Sequence, residues 1–567
     1  MSGNWLFQVI LFLSTLTILA IIFGEYMAKV FVGERTLLSP VLRPIELFLY
    51  NLFGIDPDEE MTWKSFAFSL LLFMLLGGIV LFAIQELQSF LPLNPEKVPA
   101  VHWDSALNTA ISYITNTNWQ SFNSETAMSY LTQMVGLTLQ NFLSAAIGLA
   151  VAIALINAFV RKDSNLIGNF WVYITRSIVY ILLPLALVLS LVLVSQGTVQ
   201  NFNPYTRAVT VEGKAQVIAQ GPAASQIAIK HIGTNGGGFF AANSAHPYEN
   251  PTPLTDYLEI LAMLLIPAAL PFTFGAMLNN RKQGWAIFTA MMLLFVLGLS
   301  AAIWSEMHGN PLLAKLGVNQ GINMEGKEVR LGPLASVVFT SATTATATGA
   351  NSAGFDSLMP LTGLVAIFNM AIGEVIFGGI GSGLIGMLLY AMLAMFLIGL
   401  MVGRSPEIYG KKLDPYEMGM CVLALFLPCV LQLVFGALAI TNKTGVSSIG
   451  NPGPHGMSEI LYAYASTFGN NGSAFKALNV DNMFYNVTTS LAMLLGRCVT
   501  LFAALAIAGS IAKKKIIPVT SRFPTASPVF VFVLAGVVFV LGALTFFPVW
   551  VLGPILEHLF INLGTTF

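Results

Sequence analysis

Long apolar runs alternate with polar connections along the chain, and the lengths of these runs predict the architecture. A helix crosses the hydrocarbon core of a bilayer in about 20 residues and satisfies its own backbone hydrogen bonds in lipid. Ten runs meet this requirement, so we expect an all-α membrane protein with about ten transmembrane helices. The predicted helices lie near residues 5–28, 64–88, 126–160, 170–195, 256–279, 284–306, 358–403, 415–441, 482–511 and 527–550.

The charges in the connections predict the orientation of these helices. Alternate connections are short and basic, whereas the others are long. Basic connections lie in the cytoplasm by the positive-inside rule, so both termini of a ten-helix chain are expected outside. The basic residues are Arg161, Lys162, Arg281, Lys282, Arg404, Lys411, Lys412, Lys513, Lys514 and Lys515.

The long outside connections contain a fourfold internal repeat. Each holds a helix-like run that leads into a segment of Gly, Thr and Asn, and three of the four units end in glycine. Any one of them would pass for an ordinary loop, but four aligned copies between spanning helices make that interpretation unlikely. The units are WDSALNTAISYITNTN (103–118), GPAASQIAIKHIGTNG (221–236), LASVVFTSATTATATG (334–349) and MSEILYAYASTFGNNG (457–472).

The repeat unit is typical of a potassium filter. A run of about ten residues is too short to span the bilayer, so it is expected to enter and return as a pore helix. The carboxyl end of such a helix favours a cation, and the Gly-rich segment after it lets backbone carbonyls turn inward. Four converging carbonyl segments replace the hydration shell of a potassium ion. We therefore predict four pseudo-repeats of helix, pore helix, filter loop and helix, plus two additional helices.

The seventh apolar run is too long for one span and contains the string GEVIFGGIGSG. This concentration of glycine predicts two half-helices around an intramembrane loop that gates the pore. Burying an ionisable side chain in hydrocarbon costs at least about 2.5 kcal/mol, so Glu374 and Arg497 are candidates for the ion path, the alternative being structural pairing. The loop and ion-path residues are Gly373, Glu374, Gly378, Gly379, Gly381, Gly383 and Arg497.

Composition and motifs narrow the possible functions. Of 567 residues, 56% are hydrophobic and 9% charged, with a net charge of −1, so membrane lipid and not nucleic acid is the expected surrounding. No GxxxxGK[ST] string occurs, and the string TNKTG has Asn442 where a phosphorylated aspartate would stand. The sequence thus predicts no catalytic site in this chain and no cofactor other than potassium as the transported ion.

Several long strings resemble one family. They are TNTNWQSF (115–122), GTNGGGFF (233–240), INMEGKE (322–328), GEVIFGGIGSG (373–383), and NPGPHG with NNGSAF (451–456 and 470–475). These resemble the A subunit of the bacterial Kdp potassium-transporting ATPase from about residue 1 to the C-terminus. The resemblance implies a member of the superfamily of K⁺ transporters in the bacterial inner membrane. Implied partners are a P-type ATPase B subunit that binds ATP and Mg²⁺, a C subunit and a small F subunit.

The resemblance also implies the filter residues. Two departures from a fourfold glycine ring stand out: Asn118 replaces the last glycine of the first segment, and the third segment begins with Thr346 and has Thr348 before its glycine. The site is therefore expected to be asymmetric. The filter residues are Thr115, Asn116, Thr117, Asn118, Gly233, Thr234, Asn235, Gly236, Thr346, Ala347, Thr348, Gly349, Gly469, Asn470, Asn471 and Gly472.

Together these patterns divide the chain and leave three functional classes. A potassium-binding and translocating subunit of an ATP-driven uptake complex is favoured over a stand-alone K⁺ channel or transporter. A membrane enzyme is the weakest candidate, because no His, Ser, Cys and carboxylate set stands at catalytic spacing. The predicted segments are 1–62 (first helix and cytoplasmic loop), 63–160, 169–280, 284–404 and 415–512 (four repeats), and 525–567 (last helix).

Overall fold

The computed structural model of the protein describes residues 2–318, 321–516 and 523–565. Within these ranges ten helices are long and apolar enough to cross a membrane, which confirms the predicted all-α membrane architecture. Residue 1 of the predicted first segment, 319–320 of the third repeat and 566–567 of the last segment lie outside the described residues. The ten helices are Asn4–Val32, Trp63–Leu87, Thr132–Val160, Phe170–Ser195, Pro253–Met277, Arg281–Lys315, Ser382–Val402, Pro415–Thr441, Met483–Ala512 and Pro528–Leu563.

Each repeat holds a short buried helix between its spanning helices. We call these pore helices 1 to 4, and they contain 12, 10, 14 and 17 residues, fewer than the roughly 20 that cross a bilayer. Proline in the first turn, which suits the start of a helix, begins pore helices 3 and 4. Pore helices 1 to 4 are Trp103–Ile114, Ala223–Ile232, Gly332–Ala345 and Gly453–Gly469.

Short elements connect the long helices. A 15-residue helix, Ser39–Phe53, follows the first spanning helix. Within the part of the chain that the structure describes, three antiparallel strand pairs form: Met61–Thr62 with Leu166–Gly168, Thr206–Val209 with Ala215–Ile218, and Glu407–Ile408 with Lys411–Lys412. The spanning helices include π-helical turns at Thr132–Thr138, Ser177–Leu182 and Val551–Ile555. The remaining short helices are Ser124–Ala127, Asn243–Ala245, Pro311–Lys315, Phe355–Ser357, Lys443–Ser447 and Leu556–Leu563.

The second helix of the third repeat is broken in two. Its parts are Pro360–Ala371, with 12 residues, and Ser382–Val402, with 21 residues, so two helical parts of unequal length lie on either side of the break. The connection between them, residues 372–381, is called the break loop below. Left-handed backbone at Gly373, Gly378 and Gly381 explains why glycine is needed here.

The basic connections meet on one face of the protein. Lys411 Nζ donates to the carbonyl oxygens of Ala158, at 2.7 Å, and Ile511, at 2.8 Å, which end the second helices of repeats 1 and 4. Burial lowers the pKa of Lys411 to about 8. Lys514 forms an ion pair with Asp414 at 2.8 Å and lowers the pKa of that carboxyl group. Cations at helix carboxyl ends are favourable, so the hydrogen bonds of Lys411 to these two carbonyl groups offset part of the cost of burying its charge.

Candidate functional site

The segments after the four pore helices converge on one another. A Cβ atom added to Gly236 would lie 2.5 Å from the carbonyl oxygen of Thr117 and 2.7 Å from that of Asn471. A Cβ on Gly349 would overlap the Asn471 oxygen, and one on Gly472 would overlap the Thr117 oxygen. Segments from all four repeats therefore form a ring, although they lie far apart along the chain.

Three of the four segments leave their pore helix through the same turn. The backbone N–H groups of Thr117, Asn235 and Asn471 each donate to the carbonyl five residues earlier, at 2.8 to 2.9 Å. The residue before each of them has a left-handed backbone. In the third repeat, Thr346 instead donates to Ala342 at 3.0 Å. The ring is thus asymmetric at the segment in which the sequence departs from the others.

The ring presents carbonyl oxygens that have no partner. The third residue of each segment is Thr117, Asn235, Thr348 or Asn471, and all four are fully buried. Within the described ranges, the backbone carbonyl oxygens of these four residues accept no hydrogen bond. Buried carbonyl groups are almost always paired. Unpaired carbonyl oxygens on converging segments can act as ligands for a dehydrated cation.

Side chains link neighbouring segments and hold this ring. Asn116 Nδ2 donates to the carbonyl oxygen of Thr234 at 2.9 Å, joining repeats 1 and 2. Asn470 Nδ2 donates to the Thr117 hydroxyl at 2.9 Å, and Asn471 Nδ2 donates to the carbonyl of Thr346 at 3.0 Å. Because repeat 4 bonds to both repeat 1 and repeat 3, the separation between segments is fixed by hydrogen bonds.

The fourth position of each segment explains why asparagine replaces glycine once. Asn118, Gly349 and Gly472 have positive φ angles of 54°, 71° and 97°. Asparagine enters this left-handed region more readily than most residues, so Asn118 fits the backbone of the first segment. In the second segment the positive φ falls one residue later, at Gly237.

One side of the ring opens into a polar cavity of about 350 Å³, called the mouth cavity below. Its lining includes Asn118, Gly349 and Gly472 from the ring, together with Lys476 and Asp481. Residues of the first, third and fourth segments therefore border a cavity that also holds charged side chains.

The break loop packs against the ring. Gly378 N donates to the carbonyl of Ala345 at 2.9 Å, and Ile380 N donates to the Thr234 hydroxyl at 3.0 Å. A Cβ on Gly379 would lie 2.7 Å from the Cβ of Ala347. The glycine-rich loop therefore touches the filter segments of repeats 2 and 3 directly.

Glu374 and Arg497 are both buried near the ring. A Cβ atom added to Gly469 would lie 3.3 Å from Cγ of Glu374. Arg497 lines a cavity that is also lined by Gly373 and Gly469. Across residues 2–318, 321–516 and 523–565, no ion pair within 4.0 Å joins the two side chains. Arg497 Nη2 donates instead to the carbonyl oxygen of Ser144 at 3.5 Å.

Sequence reasoning missed a buried ion pair behind the second segment. Lys230 of pore helix 2 contacts Glu249, and both side chains are fully buried. The Lys230 carbonyl also accepts the 2.8 Å hydrogen bond from Asn235, and its Nζ would lie 3.1 Å from a Cβ on Gly238. One sequence feature could have indicated this pair: Lys230 lies within a mildly apolar run, where a charged side chain needs a partner.

Comparisons with known proteins agree on one family. The family model described as potassium-transporting ATPase A subunit matches residues 10–559. The potassium-transporting ATPase potassium-binding subunit of Solibacter usitatus is 50% identical over 565 residues, covering 100% of this chain and 99% of that protein. Its counterpart from Sorangium cellulosum is 50% identical over 576 residues, covering 99% of both. The crystal structure of the potassium transporter TrkH from Vibrio parahaemolyticus has a TM-score of 0.52 at 16% identity, covering 86% of this chain and 96% of that one, and this likeness concerns the fold.

Proposed function

The chain belongs to the potassium-transporting ATPase A subunit family, and from this premise we propose that it binds potassium from outside and passes it on within an ATP-driven uptake complex. The observation that carries the proposal is a set of four buried carbonyl oxygens, one from each repeat, that accept no hydrogen bond from any residue that the structure describes. Carbonyl rings of this kind replace the hydration shell of potassium.

The filter that we propose consists of 16 residues in four segments. The carbonyl oxygens at Thr117, Asn235, Thr348 and Asn471 are its central ligands. Because cross-segment hydrogen bonds fix the ring width, a smaller ion would be coordinated less well, which favours potassium over sodium. The full set comprises residues 115–118, 233–236, 346–349 and 469–472.

The break loop is proposed to obstruct the pore beneath this filter. Its hydrogen bonds to Ala345 and Thr234 support a position directly against the filter segments. Irregular backbone within a membrane is tolerable where it lines a cavity, and Arg497 and Gly373 border one here. Glu374 and Arg497 are assigned to the ion path beside the loop.

Transport against a gradient is assigned to partner subunits. The chain lacks the GxxxxGK[ST] string and has Asn442 in place of a phosphorylated aspartate. We propose a B subunit that binds ATP and Mg²⁺, with C and F subunits, in the bacterial inner membrane. The basic face formed by Lys411, Lys514 and their neighbours supports a cytoplasmic side, with both termini outside. The repeats are proposed to comprise 63–160, 169–280, 284–404 and 415–512, flanked by 1–62 and 525–567.

Reconstitution tests this function against the stand-alone alternative. Proteoliposomes holding the chain with its partner subunits are expected to accumulate potassium when ATP is supplied, and those holding the chain alone are expected not to. The control is the same complex with the partner's phosphorylation site removed. If the chain alone carried potassium down its gradient as fast as the intact complex, the stand-alone transporter would be the correct assignment.

A further inference from the structure

Three side chains of the types that ligate metal ions meet beside the mouth cavity. Asp356 lies in the short helix Phe355–Ser357, which follows the third filter segment, and His455 and Glu459 lie one turn apart at the start of pore helix 4. One nitrogen or oxygen atom from each lies within 4.8 Å of the other two. The cluster joins repeats 3 and 4 and is separate from the filter ring.

The imidazole of His455 is oriented for binding. Its Nδ1 lies 2.8 Å from a carboxylate oxygen of Glu557 in the last helix, and its ring stacks on Phe475 with centroids 5.6 Å apart. The other ring nitrogen, Nε2, is buried and has no hydrogen-bond partner within the described residues. A carboxylate on one nitrogen and a free second nitrogen is the usual arrangement of a histidine that ligates a metal.

Hydrogen bonds hold the carboxylates of Asp356 and Glu459 in place, and each carboxylate can still bind a cation. Asp356 Oδ2 accepts the N–H of Ala477 at 3.2 Å, whereas its Oδ1 is buried and has no partner among residues 2–318, 321–516 and 523–565. Glu459 is fully buried, and its two oxygens accept the N–H groups of Gly450 at 2.9 Å and Asn451 at 3.0 Å. Oε1 accepts a second hydrogen bond from Asn451 Nδ2 at 2.8 Å, whereas Oε2 accepts one hydrogen bond within the described residues and keeps a lone pair that can bind a cation.

We propose that Asp356, His455 and Glu459 bind one divalent transition-metal ion such as Zn²⁺. One imidazole nitrogen and two carboxylate oxygens suit this class of ion, and a fourth position remains for water. Burying an imidazole nitrogen and a carboxylate oxygen without partners is costly, and a bound cation satisfies both. The ion would fasten the chain after filter segment 3 to pore helix 4, and through Glu557 to the last helix.

Metal binding by the full chain purified in detergent tests this assignment. After treatment with a chelator, titration with Zn²⁺ is expected to show one site per chain, and Co²⁺ at the same site is expected to give visible d–d absorption bands. Asp356→Asn and His455→Gln, which keep side-chain size, are expected to abolish the site. Glu557→Gln is expected to weaken it by about 10-fold to 100-fold, as for other groups that orient a ligand.

His308→Gln is the matched control, because His308 is an exposed histidine that does not belong to the cluster. The His308→Gln variant is expected to bind zinc as the parent protein does. A protein that binds no zinc after metal removal would overturn the proposal and favour a protonated His455 shared between Glu557 and Asp356. Zinc binding that is unchanged in both Asp356→Asn and His455→Gln would also overturn it.

Discussion

Adding a side chain at Gly236 is expected to weaken potassium binding, because this glycine lies against two carbonyl oxygens of the ring. The added Cβ would lie 2.5 Å from the Thr117 oxygen, and real Cβ atoms essentially never come closer than 3.0 Å to another heavy atom. The Thr117 carbonyl would therefore have to move away by roughly 0.5 Å. A shift of this size removes a substantial part of the attraction in a close contact between two atoms.

The size of the effect differs among the ring glycines because their backbone conformations differ. Gly236 lies outside the left-handed region, so its contribution is steric, whereas Gly349 and Gly472 have φ angles of 71° and 97° and would add backbone strain. Such strain costs about 1–2 kcal/mol. Because 1.4 kcal/mol is tenfold in affinity, Gly349→Ser and Gly472→Ser are expected to raise the potassium concentration for half-maximal transport by about tenfold or more. Gly236→Ser is expected to raise it through the steric displacement of the Thr117 carbonyl alone. Preference for potassium over rubidium should fall as well.

The assay measures potassium-dependent uptake, and the potassium-to-rubidium preference, for Gly236→Ser, Gly349→Ser and Gly472→Ser at matched membrane levels. Gly213→Ser is the control, because Gly213 has a φ of 80° but no atom within 4 Å of an added Cβ. It is expected to transport like the parent. If all three ring variants keep parental half-maximal concentrations and ion preference, these segments are not the filter and the central proposal fails.

Three further predictions concern other parts of the chain. The chain purified alone is expected to show no potassium-stimulated ATP hydrolysis, since it lacks nucleotide-binding and phosphorylation residues; appreciable turnover would refute this. Deleting residues 376–380 of the break loop is expected to raise passive potassium conductance in proteoliposomes, and a deletion variant as tight as the parent would show that the loop is not the gate. Lys230→Met should destabilise the fold by about 3–5 kcal/mol through the unpaired Glu249, and Lys230→Met with Glu249→Gln should recover part of that loss in chemical unfolding; equal stability of the single variant and the parent would exclude a structural role for the pair.

The apolar runs by themselves determined that this is a ten-helix membrane protein. A spanning helix satisfies its backbone hydrogen bonds within itself, so its existence depends on local composition and length. For the same reason the four pore-helix units could be aligned from sequence, and the glycine string at 373–383 marked a break that the structure contains between Ala371 and Ser382. The lengths of the two parts could not be read from the string, because glycine permits several backbone paths.

Only the tertiary structure decided how the segments meet. Asn470 and the Thr117 hydroxyl are 353 residues apart, and Asn471 bonds to a carbonyl of repeat 3 across 125 residues. The buried pair of Lys230 and Glu249, the contact of Ile380 with Thr234, and the approach of Asp356 to His455 depend on the same long-range packing. No local pattern encodes these neighbours, because the chain brings them together only after its helices have packed.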